Sequence, residues 1–287
     1  QTFPDSFAQQ RLWFMDQLQP GSAAYHLPAA FRVTGQLDIA ALEQSFNTLI
    51  QRHEILRTRI TVTDEQPMQE VRAIQPLTLT VEELPERMQP GDSWTDEQQQ
   101  EQAIQTLVKA EAARPFDLAK GPLLRVRVYE LKSFQKQDTE HLLICTLHHI
   151  ISDYWSMRVL VQELGVIYGA IKSGKTTKIL PDLPIQYADY AVWQRQWLQG
   201  DICQRQLDYW QQQLDQPPLS VELPTDFPRP LVQSFNGAIL SFSLPKELTQ
   251  QLNELSRNQG TTLFMTLLMG LKILLHRYSG QTDILIG

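Results

Sequence analysis

Two adjacent histidines, His148 and His149, stand in the run Leu147-His-His-Ile-Ile-Ser-Asp-Tyr-Trp-Ser156. An unperturbed imidazole titrates near neutral pH, so a neutral one can take a proton from a nucleophile under working conditions. Asp153 follows His149 by four residues, a separation that a turn can close. Three uses of such a set compete. The first is a satisfied polar pair at a helix cap. The second is a metal site, since His-x3-Asp spacing suits a metal and Cys145 is near. The third is a general base for acyl transfer. A metal lacks its third ligand, because no second cluster has recognisable spacing. The run Arg52-His53-Glu54-Ile55-Leu56-Arg57 matches only the first half of a zinc-binding His-Glu-x-x-His, with Arg57 where the second histidine belongs. No metal site is assigned.

The elements around these residues explain why they meet. Residues 141–147, HLLICTL, are nearly all apolar, which predicts a central strand covered on both faces. A helical pattern runs from 153 to 171. Polar side chains between a strand's C-terminal end and a helix N-terminus lie where α/β folds place their chemistry. Further strands are expected at 25–33, 57–63, 68–73, 77–84, 123–131, 238–244 and 282–286. Helices are expected at 6–18, 38–53, 95 or 96–113, 185–198, 202–214, 245–258 and 263–278. Thr95 or Asp96 would cap the third of these, after a polar loop at 85–96. The apolar stretch 263–275 contains Lys272, is too short to span a bilayer, and reads as a buried core helix. Strands mixed with helices throughout indicate an α/β (α+β sandwich) fold.

Composition narrows the function classes. The 287 residues carry 25 basic and 32 acidic side chains, a net charge of −7, so neither nucleic acid nor an anionic membrane finds a strong basic face. Two cysteines, Cys145 and Cys203, exclude a disulfide scaffold and suggest a reducing, cytoplasmic setting. No signal peptide or membrane segment is evident. The chain begins Gln1-Thr2-Phe3 and stops just after the strand-like run 283–286, and it reads as a piece of something longer.

Four runs together carry a specific resemblance. HHIISDYWS resembles the HHxxxDG signature of nonribosomal peptide synthetase condensation domains, a signature shared more loosely by other acyltransferases. Ser6-Phe-Ala-Gln-Gln-Arg-Leu-Trp-Phe-Met15 resembles those domains' SxAQxRLWxL opening. Arg52-His-Glu-Ile-Leu-Arg-Thr58 resembles RHExLRT, and Tyr187-Ala-Asp-Tyr-Ala-Val-Trp193 resembles YxDxAxW. All four occur in the family's order with similar spacing.

The resemblance implies a chloramphenicol-acetyltransferase-like lobe at 1–175 and connecting helices with a Pro-rich linker at 176–235. The start of a second, incomplete lobe would follow at 236–287. It implies an amide-bond-forming acyltransferase that joins aminoacyl or peptidyl thioesters. Its partners would be upstream donor and downstream acceptor carrier proteins, beside an adenylation domain. No cofactor is implied to bind directly, because the substrates ride on 4′-phosphopantetheine arms. By position, His149 is the base or amine-positioning group, with His148 packed behind it. Asp153 is expected to be structural and to pair with an arginine, Arg57 first among the candidates. Such a buried pair would cost roughly 3–5 kcal/mol to break. Tyr154, Trp155 and Ser156 would line the substrate channel. Arg57 and Arg52 would support the site, and Trp193 would anchor the connecting helices to the sheet. Tyr154 replaces the motif glycine, so strained backbone or a crowded channel, with impaired or specialised catalysis, is expected. The rival functions are a non-catalytic carrier-protein docking or scaffold domain and a CoA-dependent acyltransferase.

Overall fold

The computed structural model describes residues 1–85, 96–134, 139–175, 180–216, 220–231, 237, 240 and 242–286. They form two compact units, Gln1–Gly200 and Asp201–Gly287.

The first unit is built on β7 (Glu140–His148), whose last seven residues are all buried. It pairs antiparallel with β2 (His26–Thr34) on one side and β6 (Leu124–Leu131) on the other, and β5 (Val81–Glu83) adds to β6 in parallel. Because side chains alternate along a strand, one run of apolar residues covers both faces. Leu143, Cys145 and Leu147 join the main core with Phe46 and Leu49 of α2 (Ile39–Arg52) and Leu160 and Ile167 of α4 (Tyr154–Lys172). Leu142 and Ile144 belong to a second cluster with Tyr129, packed by Ile104, Leu107 and Val108 of α3 (Asp96–Ala113). The sheet is therefore sandwiched between the α2–α4 pair and α3.

A separate three-stranded antiparallel sheet has the order β1 (Thr2–Pro4), β4 (Gln66–Val71), β3 (Thr58–Thr63). The β3–β4 turn places Asp64 and Glu65 at positive φ (49° and 62°), the requirement of a tight two-residue hairpin. α1 (Phe7–Leu18) follows β1, and α5 (Tyr187–Trp197) is the last helix wholly within this unit.

The second unit holds α6 (Gly200–Gln213), α7 (Lys246–Asn258) and α8 (Leu263–Ser279). Ser256 and Thr266 hydroxyls join α7 to α8 at 2.7 Å.

Four expectations change. The first strand, β1, was not expected. The strand expected at 77–84 shrinks to β5, since only three residues find a ladder partner in β6. The strand expected at 282–286 is absent, because no described strand of that unit lies alongside to complete a ladder. The helix at 263–275 forms, but α8 buries none of its residues; Phe264, Met269 and Ile273 are more than half exposed. Within its unit α8 packs against α7, whose polar composition offers little apolar surface to cover it. Much of the segments expected at 85–96 and 238–244 lies outside the described residues, as does Thr95.

Candidate active site at the end of the central strand

The pleat of β7 separates the two histidines. His148 falls in line with Leu142, Ile144 and Thr146, away from the α2–α4 face. It is 3% exposed and meets the rings of His26 (5.8 Å) and Phe116 (6.1 Å) edge to face. Its Nδ1 accepts the Ile150 N–H at 3.1 Å. Burial pushes its pKa down to about 4, helped by His26 and His149 nearby, so the ring is neutral at pH 7.

His149 follows the opposite side of the pleat and is exposed. Its backbone N–H donates to the Tyr25 carbonyl at 2.8 Å, which fixes where the ring emerges. The ring lies on the wall of a cavity of about 440 Å³. Leu12, Leu56, Leu147, Ile150 and Leu160 give that wall much of its apolar part, and Arg11, His53, Asp153, Ser156 and Tyr187 are among the polar residues that line it with His149. A concave wall that mixes apolar side chains with convergent polar groups is the usual make-up of a small-molecule site.

Asp153 is the N-cap of α4. Its carboxylate accepts the Ser156 backbone N–H at 2.7 Å and also the Ser156 hydroxyl. The Ser156 hydroxyl first, and its N–H second, hold the Asp153 carboxyl below its usual range. The expected Asp153–Arg57 pair is not formed. Arg57 instead donates to the Arg72 carbonyl at 3.1 Å and to the Glu54 carboxylate at 3.2 Å, a partner three residues before it in the same turn. Asp153 is exposed and finds its partners one turn ahead in its own helix.

Trp155 and Ser156 do line the cavity. Tyr154 does not: it is the first residue of α4, 89% exposed, and its backbone is not among the positive-φ positions. Neither the expected strain nor a ring in the cavity is observed. Helical backbone suits tyrosine as well as glycine, and the first helical position points its side chain outward.

Arg52 and His53 end α2 and both reach Glu163 of α4, Arg52 Nε at 3.1 Å and His53 Nε2 at 2.6 Å from the same oxygen. Gln186 fills the next gap. Its amide donates to the Arg52 carbonyl at 3.0 Å, and its oxygen accepts the Glu54 N–H at 3.1 Å. Arg52 thus joins α2, α4 and the start of α5. Trp193 does not anchor α5 to a sheet. It is 51% exposed and stacks on Trp197 along an outer aromatic row. Ala188 and Ala191 are the buried residues of α5, and an Arg195–Asp5 ion pair adds a tie. Small side chains let this helix lie close, so the bulky ones face outward.

Sequence reading did not assign three residues of this frame: Gln9, Glu163 and Tyr187. The Ser6-x-x-Gln9 spacing was a legible capping box. Nothing local to Glu163 signalled that two side chains of α2 would converge on it.

Residues 1–287 match the condensation-domain family. The chain belongs to that family. Condensation domains of this type belong to nonribosomal peptide synthetases, and this one has their chloramphenicol-acetyltransferase-like fold. It is 45% identical over 284 residues to a linear gramicidin synthase of Brevibacillus parabrevis, covering 99% of this chain and 4% of that protein. The chain therefore spans a small fraction of the relatives it matches. Among solved structures it resembles the X-domain from teicoplanin biosynthesis (27% identity, TM-score 0.76, 96% of this chain and 57% of that one). The first condensation domain of the calcium-dependent antibiotic synthetase shares the fold (21% identity, TM-score 0.76, 98% and 61%). Among the described residues no group of three His, Cys, Asp or Glu side chains could hold a metal, and no helix is long and apolar enough to cross a membrane.

Proposed function

We propose that this condensation domain forms an amide bond between two carrier-protein-bound substrates, with His149 as base or amine-positioning group. The observation that carries this reading is the split of the histidine pair. His148 is buried and neutral, while His149 is exposed on the wall of the apolar cavity.

In the reaction, the acceptor amine attacks the donor thioester carbonyl carbon. A C–N bond forms and the carbonyl π pair moves onto oxygen. The pair returns as the C–S bond breaks, releasing the pantetheine thiolate. The proton lost from nitrogen passes through His149 to that sulfur. Aligning two tethered arms can supply about 7–11 kcal/mol, and a positioned base about 10²–10⁴-fold. The donor and acceptor would arrive on 4′-phosphopantetheine arms of an upstream and a downstream carrier protein, with an adenylation domain as neighbour.

The test uses the full-length protein, two loaded carrier proteins and mass-spectrometric detection of the elongated thioester. His149→Ala should slow product formation by about 10²–10⁴-fold if the ring is the base. Wild-type rate in that variant would remove His149 from the chemistry.

A second reading, a non-catalytic docking domain, draws support from the likeness to the teicoplanin X-domain, which is also solved in complex with OxyB (28% identity, TM-score 0.75). Product from wild-type protein that depends on His149 excludes it.

A further inference from the structure

Tyr187 lies on the same cavity wall as His149, yet it comes from α5, 38 positions further along the chain. Its hydroxyl oxygen is 2.8 Å from Ser6 Oγ. Either atom can be the donor on distance alone, so the surroundings must decide.

Ser6 is fully buried, at 0% exposure. A serine hydroxyl has one hydrogen to donate and two lone pairs. Ser6 Oγ already accepts the Gln9 backbone N–H at 3.2 Å, as the N-cap of α1. Among the described residues its other hydrogen-bond neighbour is the Tyr187 oxygen. A buried hydroxyl hydrogen without an acceptor is costly. The Ser6 hydrogen therefore goes to Tyr187, and the phenol hydrogen of Tyr187 is left for the cavity side. Burial raises the Tyr187 pKa against the lowering effect of the Ser6 hydrogen bond, with Tyr190 and the Asp153 and Asp5 carboxylates adding to the rise, so the group keeps this hydrogen at neutral pH.

The frame behind this hydroxyl is rigid. Gln9 is 1% exposed; its side-chain oxygen accepts the Ser6 N–H at 2.9 Å, and its amide donates to the Ile150 carbonyl at 3.3 Å. Ile150 is the residue after His149. The N-terminus of α1 thus holds the His149 turn with Gln9 and the Tyr187 hydroxyl with Ser6.

We infer that Tyr187 donates its hydroxyl hydrogen to the thioester carbonyl oxygen of the acyl donor, on which negative charge develops during amine attack. A neutral donor with its oxygen fixed from behind, on an apolar wall shared with the base, is suited to stabilise that charge. This role rests on the amide-forming reading above.

The experiment measures single-turnover amide formation in the full-length protein with both carriers loaded. Tyr187→Phe should lower the rate at saturating substrate by about 10²-fold while leaving KM unchanged. Because phenylalanine also strands the Ser6 hydroxyl, the double variant Ser6→Ala/Tyr187→Phe is measured beside it, with melting temperatures for both. The double variant, which loses the α1 N-cap as well as the stranded hydroxyl, should stay as slow as the single one. A wild-type rate in Tyr187→Phe, a change in KM alone, or recovery of rate in the double variant overturns the donor role and leaves the amide-forming reading intact. Wild-type protein that forms no amide with loaded carriers refutes that reading, and the donor role with it.

Discussion

Replacing Asp153 by alanine separates two accounts of the motif aspartate. As one half of a buried ion pair, its loss would strand the partner and cost about 3–5 kcal/mol. The structure instead shows an exposed N-cap whose carboxylate holds the Ser156 N–H and hydroxyl. Removing a side-chain N-cap costs about 0.5–2 kcal/mol. For a unit of about 200 residues, 1 kcal/mol moves the melting temperature by about 2–4 °C. Asp153→Ala should therefore fold, with a melting temperature lowered by a few degrees. Asp153→Asn and Asp153→Ser should stay near wild type, because both side chains cap as well as aspartate. The carboxyl pKa is held below its usual value of 3.8, so its ionised contribution is complete above that value and is lost as pH falls through the lowered one. The gap between wild type and Asp153→Asn should then be flat from pH 5 to 8 and close only in stronger acid. Urea unfolding of the four proteins across that range is the assay. A loss near 4 kcal/mol in Asp153→Ala, matched by Asp153→Asn, would refute capping and restore a buried charge pair.

Two further outcomes follow from the same turn. His148 has a pKa of about 4 in the folded chain against 6.5 unfolded, so the unfolded state binds the extra proton first on acidification. Stability due to this ring should be complete above about pH 6.5 and decline by about 3 kcal/mol as pH falls to 4, and His148→Gln should show a shallower acid limb in urea titrations. Tyr154→Gly should leave the amide-forming rate within about twofold, since the ring is not on the cavity wall, while costing up to about 1 kcal/mol in α4; a large gain in rate would show that the ring reaches the channel.

The sequence was most legible where one physical signal dominated. Residues 141–147 are nearly all apolar, on both strand faces, and that alone places β7 at the centre of the sheet. The strand-to-helix turn after it made His149 a candidate on position alone. Legibility failed where size was taken for burial. Trp193 and the apolar residues of α8 are large and lie at helical spacing, yet they face outward; Ala188 and Ala191 are the contact residues of α5. A periodic pattern shows that a helix has an apolar face, but not whether anything covers it. β1 escaped notice because three residues ending in Pro4 carry no period, and only its partner β4 makes it a strand. The Arg57–Asp153 pairing failed for a related reason. Opposite charges in two motifs do not report distance, and each group had a nearer partner.

The four runs that mark the family do different work. All four contribute to the cavity wall, among them Leu12, Leu56, His149 and Tyr187. Gln9, Arg52 and Gln186, beside or within those runs, bond backbone groups of other elements: the Ile150 carbonyl, the Pro181 carbonyl, and the Arg52 carbonyl with the Glu54 N–H. Such bonds fix where a backbone passes, and so where His149 and Tyr187 point, without touching a substrate. A spacing signature built from positioning groups identifies the frame that orients the chemistry. The acyl groups to be joined would meet the apolar wall formed by Leu12, Leu56, Ile150 and Leu160, the first three of which lie inside the same runs. Substrate preference should accordingly respond to substitutions on that wall, while substitutions in the bonded frame should change rate for all substrates alike.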